Sequence, residues 1–126
     1  LPQTERQGTG VIAFCPLAQG LLTSKYLKTI HDDSRAKSAA GVLKESHVTP
    51  QVVAKLNKLN AIAIQRGQSL AQMALAWTLR PQGKAGVTSA LIGASRPEQI
   101  VENVKYLEKG SFAPEELQQI EKVLAE

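Results

Sequence analysis

Two short apolar runs, with helical patterns between and after them, constrain the fold of this chain more than any other feature. The first run covers residues 9–14 and the second covers residues 87–92. Both contain the β-branched and apolar residues that are typical of buried strands in a parallel sheet. Helical spacing occupies residues 49–66 and 69–80 between them. Because strands that alternate with helices pair in parallel through crossovers, the sequence predicts an α/β fold.

The first two helices carry clear start and stop signals. Thr49, followed by a proline, is a typical helix start. Arg66 and Gly67 are a typical end, with a cation in the last turn and a glycine cap. The next helix is predicted to begin at Ser69 and to stop at Arg80, before a proline. These signals predict two helices of ordinary length between the strands.

The remaining segments complete the predicted order of elements. Residues 81–86 form a loop, and residues 95–107 and 114–125 form two further helices. Residues 28–48 are polar and are predicted to be a long loop, which in a compact domain is usually a binding loop or a mobile one. The predicted order is therefore strand, long loop, two helices, strand and two helices.

Two strands leave a parallel sheet incomplete, because both faces and both edges of such a sheet need cover. The chain also begins with leucine, and its one methionine is Met73. We therefore expect residues 1–126 to be the C-terminal part of one longer domain.

Composition narrows the classes of function. Cys15 is the one cysteine, which excludes an internal disulfide and favours a reducing cytoplasm. One cysteine and two separated histidines, His31 and His47, make a metal cluster improbable. No apolar run approaches the roughly 18 residues of a membrane span, and no basic stripe interleaved with aromatics indicates nucleic acid. The net charge of +4 suits an anionic ligand, although an ordinary basic surface explains it better.

The stretch Leu91–Asn103 turns from an apolar strand into a helix start within a few residues. Gly93 keeps the corner small, so that a ligand can approach the main chain. Ser95 is the predicted N-cap, and Glu98 three residues later completes a capping box. The first helical amides, the positive end of the dipole and Arg96 would together bind an anion. The alternative is a capped helix with a surface arginine and no ligand.

A second anion-binding segment follows the first strand. Residues 14–18 leave that strand at its carboxyl end, where ligands of α/β sheets bind. Lys25 and Arg35 follow in the adjoining loops. Two strand ends and two loop cations are therefore expected to converge on one site, unless the two cations are ordinary solvated charges.

Several motifs, in their order along the chain, resemble the aldo-keto reductase family. Residues 14–20 with Lys25-Tyr26 and Ser34-Arg35 are similar to the region of the family's seventh strand. Residues 72–77 resemble the helix before the eighth strand, and residues 91–103 resemble the C-terminal NADP-binding signature. The resemblance is closest to the branch that contains bacterial glyceraldehyde 3-phosphate reductase and the potassium-channel beta subunits.

This resemblance implies a (β/α)8 TIM barrel, of which the chain supplies strands 7 and 8 with their helices. It implies NADPH-dependent reduction of an aldehyde or ketone by the parent protein in the cytoplasm, with a homo-oligomer left open. The family's catalytic Asp, Tyr, Lys and His lie on segments before this one, so no catalytic residue is assigned here. The alternatives are a non-catalytic, nucleotide-sensing regulatory subunit and an inactive truncated fragment.

The resemblance also implies which residues bind NADP(H). Phe14 would stack on the nicotinamide, Lys25 and Arg35 would reach the phosphates, and Glu102 and Asn103 would bond the adenine edge. The full implied set is Phe14, Cys15, Pro16, Leu17, Ala18, Lys25, Arg35, Gly93, Ser95, Arg96, Gln99, Glu102 and Asn103.

Two of these positions depart from the family pattern. Cys15 stands where serine is commoner and is the weaker hydrogen-bonding group. Phe14 stands where the family has tyrosine or tryptophan; it lacks a polar group but keeps the flat ring that stacking needs.

Overall fold

The computed structural model describes residues 1–27 and 48–126. The predicted loop 28–48 therefore lies outside the described residues, except for its last position. The helices and strands are α1 (Pro2–Arg6), β1 (Ile12–Phe14), α2 (Pro50–Gln65), α3 (Leu70–Leu79), β2 (Ser89–Leu91), α4 (Pro97–Val104) and α5 (Pro114–Ala125). Short 3-10 turns cover Ala18–Gly20, Ser24–Tyr26 and Lys105–Lys109.

The two strands pair in parallel, which confirms the α/β class. Each strand is shorter than its apolar run, and the pairing near Thr88 shows why. The amide of Val11 donates to the hydroxyl of Thr88 at 3.0 Å, and the amide of Thr88 donates to the Val11 carbonyl at 2.8 Å. A side chain thus takes a position in the ladder, and regular pairing starts only at Ile12 and Ser89.

The prediction of two buried strands is wrong, because only one face of the strand pair is covered. Ala90 lines a cavity together with Leu75 of α3, so this face points toward the helices. On the opposite face the exposed fractions of Ile12, Phe14 and Leu91 are 69%, 77% and 57%. A strand is buried on both faces only where a second layer packs against it.

Helices α2 and α3 confirm their sequence signals. The Thr49 hydroxyl accepts a hydrogen bond from the amide of Val52 at 3.3 Å, which caps α2. Gly67 follows the end of α2 with φ +72°, a conformation that costs glycine little. The amide of Gln68 then donates to the Ala63 carbonyl at 2.9 Å, which closes the last turn.

The hydrophobic core lies among the helices and not in the sheet. Helices α2, α3 and α5 contribute all of its fully buried residues, at the helical spacing that the sequence predicts. The members are Leu56, Leu59, Ile62, Ala63, Leu70, Met73, Ile120 and Val123.

Arg66 is the buried cation that joins α2 to the start of α5. Its exposed fraction is 3%, and the sequence pattern, which predicted a cation in the last turn of the helix, did not indicate this burial. Its Nε donates to Oε1 of Gln68 at 3.0 Å. One terminal nitrogen donates to the carbonyls of Lys109 and Ser111, both at 3.0 Å. Arginine carries five donors in a planar fork, which suits it to bind several acceptors at once.

The Arg66 guanidinium also contacts a carboxylate and an aromatic ring. It forms an ion pair with the carboxylate of Glu116 and lies 3.8 Å from the centre of the Phe112 ring. We call Arg66, Gln68, Phe112 and Glu116 the Arg66 cluster. Because Lys109, Ser111, Phe112 and Glu116 all lie near the start of α5, the cluster fixes that helix against α2.

The end of α3 carries a second stacked arginine. The guanidinium of Arg80 lies 3.8 Å from the centre of the Trp77 ring and donates to the Trp77 carbonyl. Partial burial, the larger cause, lowers the pKa of Arg80, whereas the charge of Glu121 opposes that shift. The pair lies at the end of α3, beside the turn that leads to β2. We call α2, α3 and α5, with the core that they share, the helical layer.

Two helix assignments differ from the sequence prediction. Helix α1 was not expected; its first turn is stabilised by a bond from the Thr4 hydroxyl to the Leu1 carbonyl at 2.6 Å. Helix α4 is shorter than the predicted helix over 95–107 and gives way to a 3-10 turn after Val104. None of the helices in residues 1–27 and 48–126 is long and apolar enough to cross a membrane.

Candidate functional site

The carboxyl ends of the two strands meet at one edge of the sheet. Phe14, the last residue of β1, is in register with Leu91, the last residue of β2. Because the strands are parallel, the loop that begins at Cys15 and the corner that begins at Ile92 leave from the same edge. The predicted convergence of the two strand ends is therefore confirmed.

The loop after β1 has an unusual backbone. Cys15, Ala18 and Gln19 have φ values of +52°, +47° and +57°, and they are the three non-glycine residues with positive φ in the described part of the chain. The amide of Ala18 donates to the Cys15 carbonyl at 2.9 Å, which makes the loop a tight turn. Left-handed conformations at such residues cost about 1–3 kcal/mol each, and they cluster at ligand sites. The strain marks this loop as a candidate binding segment.

Three further sequence-predicted residues lie at the end of β1 or after it. The ring of Phe14 lies on the uncovered face of the sheet and is open to solvent. Lys25 is half-buried in the 3-10 turn that Thr23 begins, where the Thr23 hydroxyl accepts from the Lys25 amide at 3.4 Å. Arg35, the other predicted cation, lies outside the described residues.

The corner after β2 is built differently from the prediction. Helix α4 starts at Pro97, with Arg96 in the N-cap position, so the predicted N-cap at Ser95 is wrong. Proline favours the first helical position because its φ is preset there and its missing N–H costs nothing. Pro97 therefore moves the helix start one residue along, and the side chain three residues after the cap is Gln99 and not Glu98.

Gln99 closes the corner with a single oxygen. Its Oε1 accepts from the amide of Ser95 at 2.8 Å, from the amide of Arg96 at 3.3 Å and from the Ser95 hydroxyl at 3.3 Å. The amide of Arg96, the first of the helical amides that were expected to face an anion, is thus already satisfied, and so is the Ser95 amide before it. The attraction for an anion at this corner then depends on the exposed Arg96 guanidinium, the Nε2 of Gln99 and the helix dipole.

Glu102 and Asn103 lie on different sides of α4. The Glu102 carboxylate is exposed and pairs with Lys105. The hydrogen bond from Lys105 to this carboxylate, the larger cause, and the charge of Glu102 raise the pKa of Lys105. Asn103 is buried and lines a cavity of about 220 Å³ between α3, β2 and α4, which Tyr106 also lines.

Sequence reasoning missed the part that Gln72 plays beside this site. Its side chain links the start of α3 to Glu102 of α4. The spacing of Ser69 and Gln72 is that of a capping box, so half of this role was readable from the sequence. The contact with α4, thirty residues away, had no local signal.

A parallel strand pair joined by helices, with polar loops at its carboxyl ends, is the arrangement of α/β ligand-binding proteins. The model of the aldo/keto reductase family matches residues 1–125, and the chain belongs to that family.

The chain is similar in sequence to proteins of two kinds. The chain is 47% identical over 131 residues to L-glyceraldehyde 3-phosphate reductase of Escherichia coli K12; the match covers the whole chain and 36% of that protein. It is 38% identical over 128 residues to a putative voltage-gated potassium channel subunit beta of Schizosaccharomyces pombe, covering 98% of the chain and 36% of that protein. A probable channel subunit beta of rice is also 38% identical, with 98% and 38% covered. The chain thus spans little more than a third of these relatives.

Proposed function

We propose that residues 1–126 form strands 7 and 8, with their helices, of a single (β/α)8 barrel domain. The parallel pairing of β1 with β2 supports this, as does a sheet face from which Ile12, Phe14 and Leu91 project into solvent. In a barrel that face would be packed by inward side chains of the other strands. A barrel of this type needs roughly 250 residues, and the matched relatives are longer than this chain.

The second part of the proposal is that the shared strand edge binds NADP(H). The described residues fit such a group, because the edge combines an open aromatic ring with exposed cationic and hydrogen-bonding side chains. Phe14 would stack on the nicotinamide, and Cys15, Pro16, Leu17 and Ala18 would line the loop beside the pyrophosphate. The bound cofactor would supply the hydride.

The corner after β2 would hold the adenosine end. Arg96 would attract the ribose phosphate, with the Nε2 of Gln99 as a further donor, and Gly93 would allow close approach. The Ser95 hydroxyl would donate to the phosphate after turning away from Oε1 of Gln99. Glu102 would accept from the adenine amino group. Asn103 would have to be reached through the cavity that it lines.

Lys25 and Arg35 would add charge for the phosphates from the other loop. Together with Arg96 they favour NADPH over NADH, because the extra phosphate of NADPH carries further negative charge. The convergence of both loops at one strand edge is the observation that carries the cofactor assignment.

The activity proposed for the whole protein is NADPH-dependent reduction of a carbonyl compound in the cytoplasm. The identity to L-glyceraldehyde 3-phosphate reductase makes a phosphorylated aldehyde the first substrate to test. No catalytic residue is proposed within this chain, so the 126 residues alone should be inactive.

The test is a steady-state assay of the native protein with NADPH and L-glyceraldehyde 3-phosphate, followed by the loss of NADPH absorbance. We expect turnover by the native protein and none by residues 1–126, with simple aldehydes as further substrates. Failure of the native protein with every aldehyde would refute the reductase proposal. Turnover by the purified 126 residues would refute the assignment of catalysis to other segments.

The second candidate is a nucleotide-sensing regulatory subunit, which the identity to channel beta subunits favours. It predicts that the native protein binds NADPH, measured by calorimetry, without turning over any aldehyde. An inactive truncated fragment would neither bind NADPH nor unfold cooperatively.

A further inference from the structure

We propose that Gln72 is a positioning residue that holds Glu102 in place, and with it the adenine end of the nucleotide site. The inference rests on the proposed function, because Glu102 is there the acceptor for the adenine amino group. It assigns to α3 a role in cofactor affinity, although α3 lies in the helical layer.

The Gln72 amide is bonded at both ends and is nearly closed to solvent, with an exposed fraction of 8%. Its Oε1 accepts from the amide of Ser69 at 3.0 Å, and its own main-chain amide donates to the Ser69 hydroxyl at 3.2 Å. Its Nε2 donates to the main-chain carbonyl of Glu102 at 2.8 Å and lies 3.5 Å from that residue's Oε2. One side chain therefore caps α3 and also forms a hydrogen bond to α4.

The chemistry of the partners fixes the orientation of this amide. The Ser69 side presents an N–H donor, so it requires the oxygen of Gln72. The Glu102 side presents two oxygens, so it requires the NH2 group. Rotating the amide would place donor against donor and acceptor against acceptor, and a buried unsatisfied group is costly. The geometry therefore specifies glutamine, and not glutamate or an apolar residue.

Glu102 is held from two directions as a result. Gln72 fixes its main chain and one carboxylate oxygen from the inside, and Lys105 pairs with the other oxygen from the solvent side. The carboxylate nevertheless stays exposed, so lone pairs remain for a base amino group. A carboxylate fixed before the ligand arrives loses less conformational entropy on binding.

The decisive variant is Gln72→Glu, with Ser69→Ala as its matched control. Gln72→Glu keeps the size of the side chain and an oxygen for the Ser69 amide, but it places a carboxylate against the oxygens of Glu102. Ser69→Ala removes the hydroxyl half of the cap and leaves the Nε2 contact intact. Both variants disturb the cap region of α3, but only Gln72→Glu removes the hydrogen bond from Nε2 to Glu102.

The measurement is calorimetric binding to the native protein of two fragments of NADPH: adenosine 2′,5′-bisphosphate and reduced nicotinamide mononucleotide. We expect Gln72→Glu to weaken the adenosine fragment by about tenfold, from a lost donor and a new repulsion. The nicotinamide fragment should bind as before, and Ser69→Ala should leave both affinities within about twofold.

Each outcome decides the inference. Unchanged adenosine-fragment affinity in Gln72→Glu, or an equal loss for both fragments, overturns the positioning role while the proposed function stands. A native protein that binds neither fragment overturns the proposed function and this inference together. If Gln72→Glu does not fold, the near-isosteric Gln72→Met replaces it, and the same selective loss relative to Ser69→Ala is expected.

Discussion

The helical layer and the strand pair are organised in opposite ways. Helices α2, α3 and α5 share a core of buried aliphatic side chains, and the Arg66 cluster joins α2 to α5. The strand pair leaves large apolar side chains open, including Phe14 and Leu91, and its loop holds strained residues. The helical layer therefore carries most of the stability of this segment, whereas the strand pair carries the candidate site.

The largest expected effect is the loss of the buried cation. Arg66→Met should lower the free energy of unfolding of the native protein by about 3–4 kcal/mol, because it removes the buried cation that pairs with Glu116 and the donor to the Ser111 carbonyl. Urea denaturation measures this, with the exposed Arg96→Met as the control, expected within about 0.5 kcal/mol of native. Equal losses in both variants would contradict a special role for the Arg66 cluster.

The next effect compares one leucine from each region. In the 126-residue chain Leu59→Ala should cost about 3 kcal/mol, because it opens a cavity in the core. Leu91→Ala should cost less than about 0.5 kcal/mol, because that side chain already lies in solvent. Thermal or urea unfolding of both variants measures the contrast. In the native protein Leu91→Ala should become costly as well if the sheet face is packed inside a barrel, and no change there would count against that barrel.

The third effect is that of an alanine-to-glycine substitution, which should change the free energy of unfolding in opposite directions in the two regions. Ala18→Gly should raise the free energy of unfolding by up to about 1 kcal/mol, because glycine relieves a positive φ at an exposed position. Ala61→Gly, at an exposed position within α2, should lower it by about 1 kcal/mol. Denaturation curves of the two variants give the comparison directly. Destabilisation by Ala18→Gly would show that the loop is not strained.

The smallest effect lies at the end of the helical layer. Lys58 donates a hydrogen bond to the Glu126 carboxylate, and this contact lowers the pKa of that carboxyl. A lowered pKa in the folded state means that the contribution is present above the unfolded pKa and is lost as the pH falls through the folded one. The melting temperature of native protein should thus slightly exceed that of Glu126→Gln at neutral pH and converge with it in acid. A gap that widened in acid would reverse the sign.

The sequence predicted the helical layer well because its signals are local. The caps at Thr49, Gly67 and Ser69 each involve bonds spanning five residues or fewer, and each is confirmed. The burial of Arg66 had no such signal, since its partner Glu116 is fifty residues away. Long-range partners of a charged side chain depend on the packing of helices, which periodicity alone does not specify.

The candidate site was predictable in its location but not in its details. Parallel pairing was enough to bring the two strand ends together. The N-cap of α4 lies one residue after the predicted one, because the preference of Pro97 for the first helical position outweighs the capping preference of Ser95. The hydrogen bond from Gln72 to Glu102 depends on how α3 packs against α4, so no short sequence motif could predict it.

Trp77, which stacks against Arg80, makes the helical layer observable by tryptophan fluorescence. Trp77 is the single tryptophan of the chain, and its ring lies against the core and beneath a guanidinium. Its emission should shift when the helices separate and should stay nearly constant when only the strand loops rearrange. Fluorescence of the 126 residues therefore reports on one region alone.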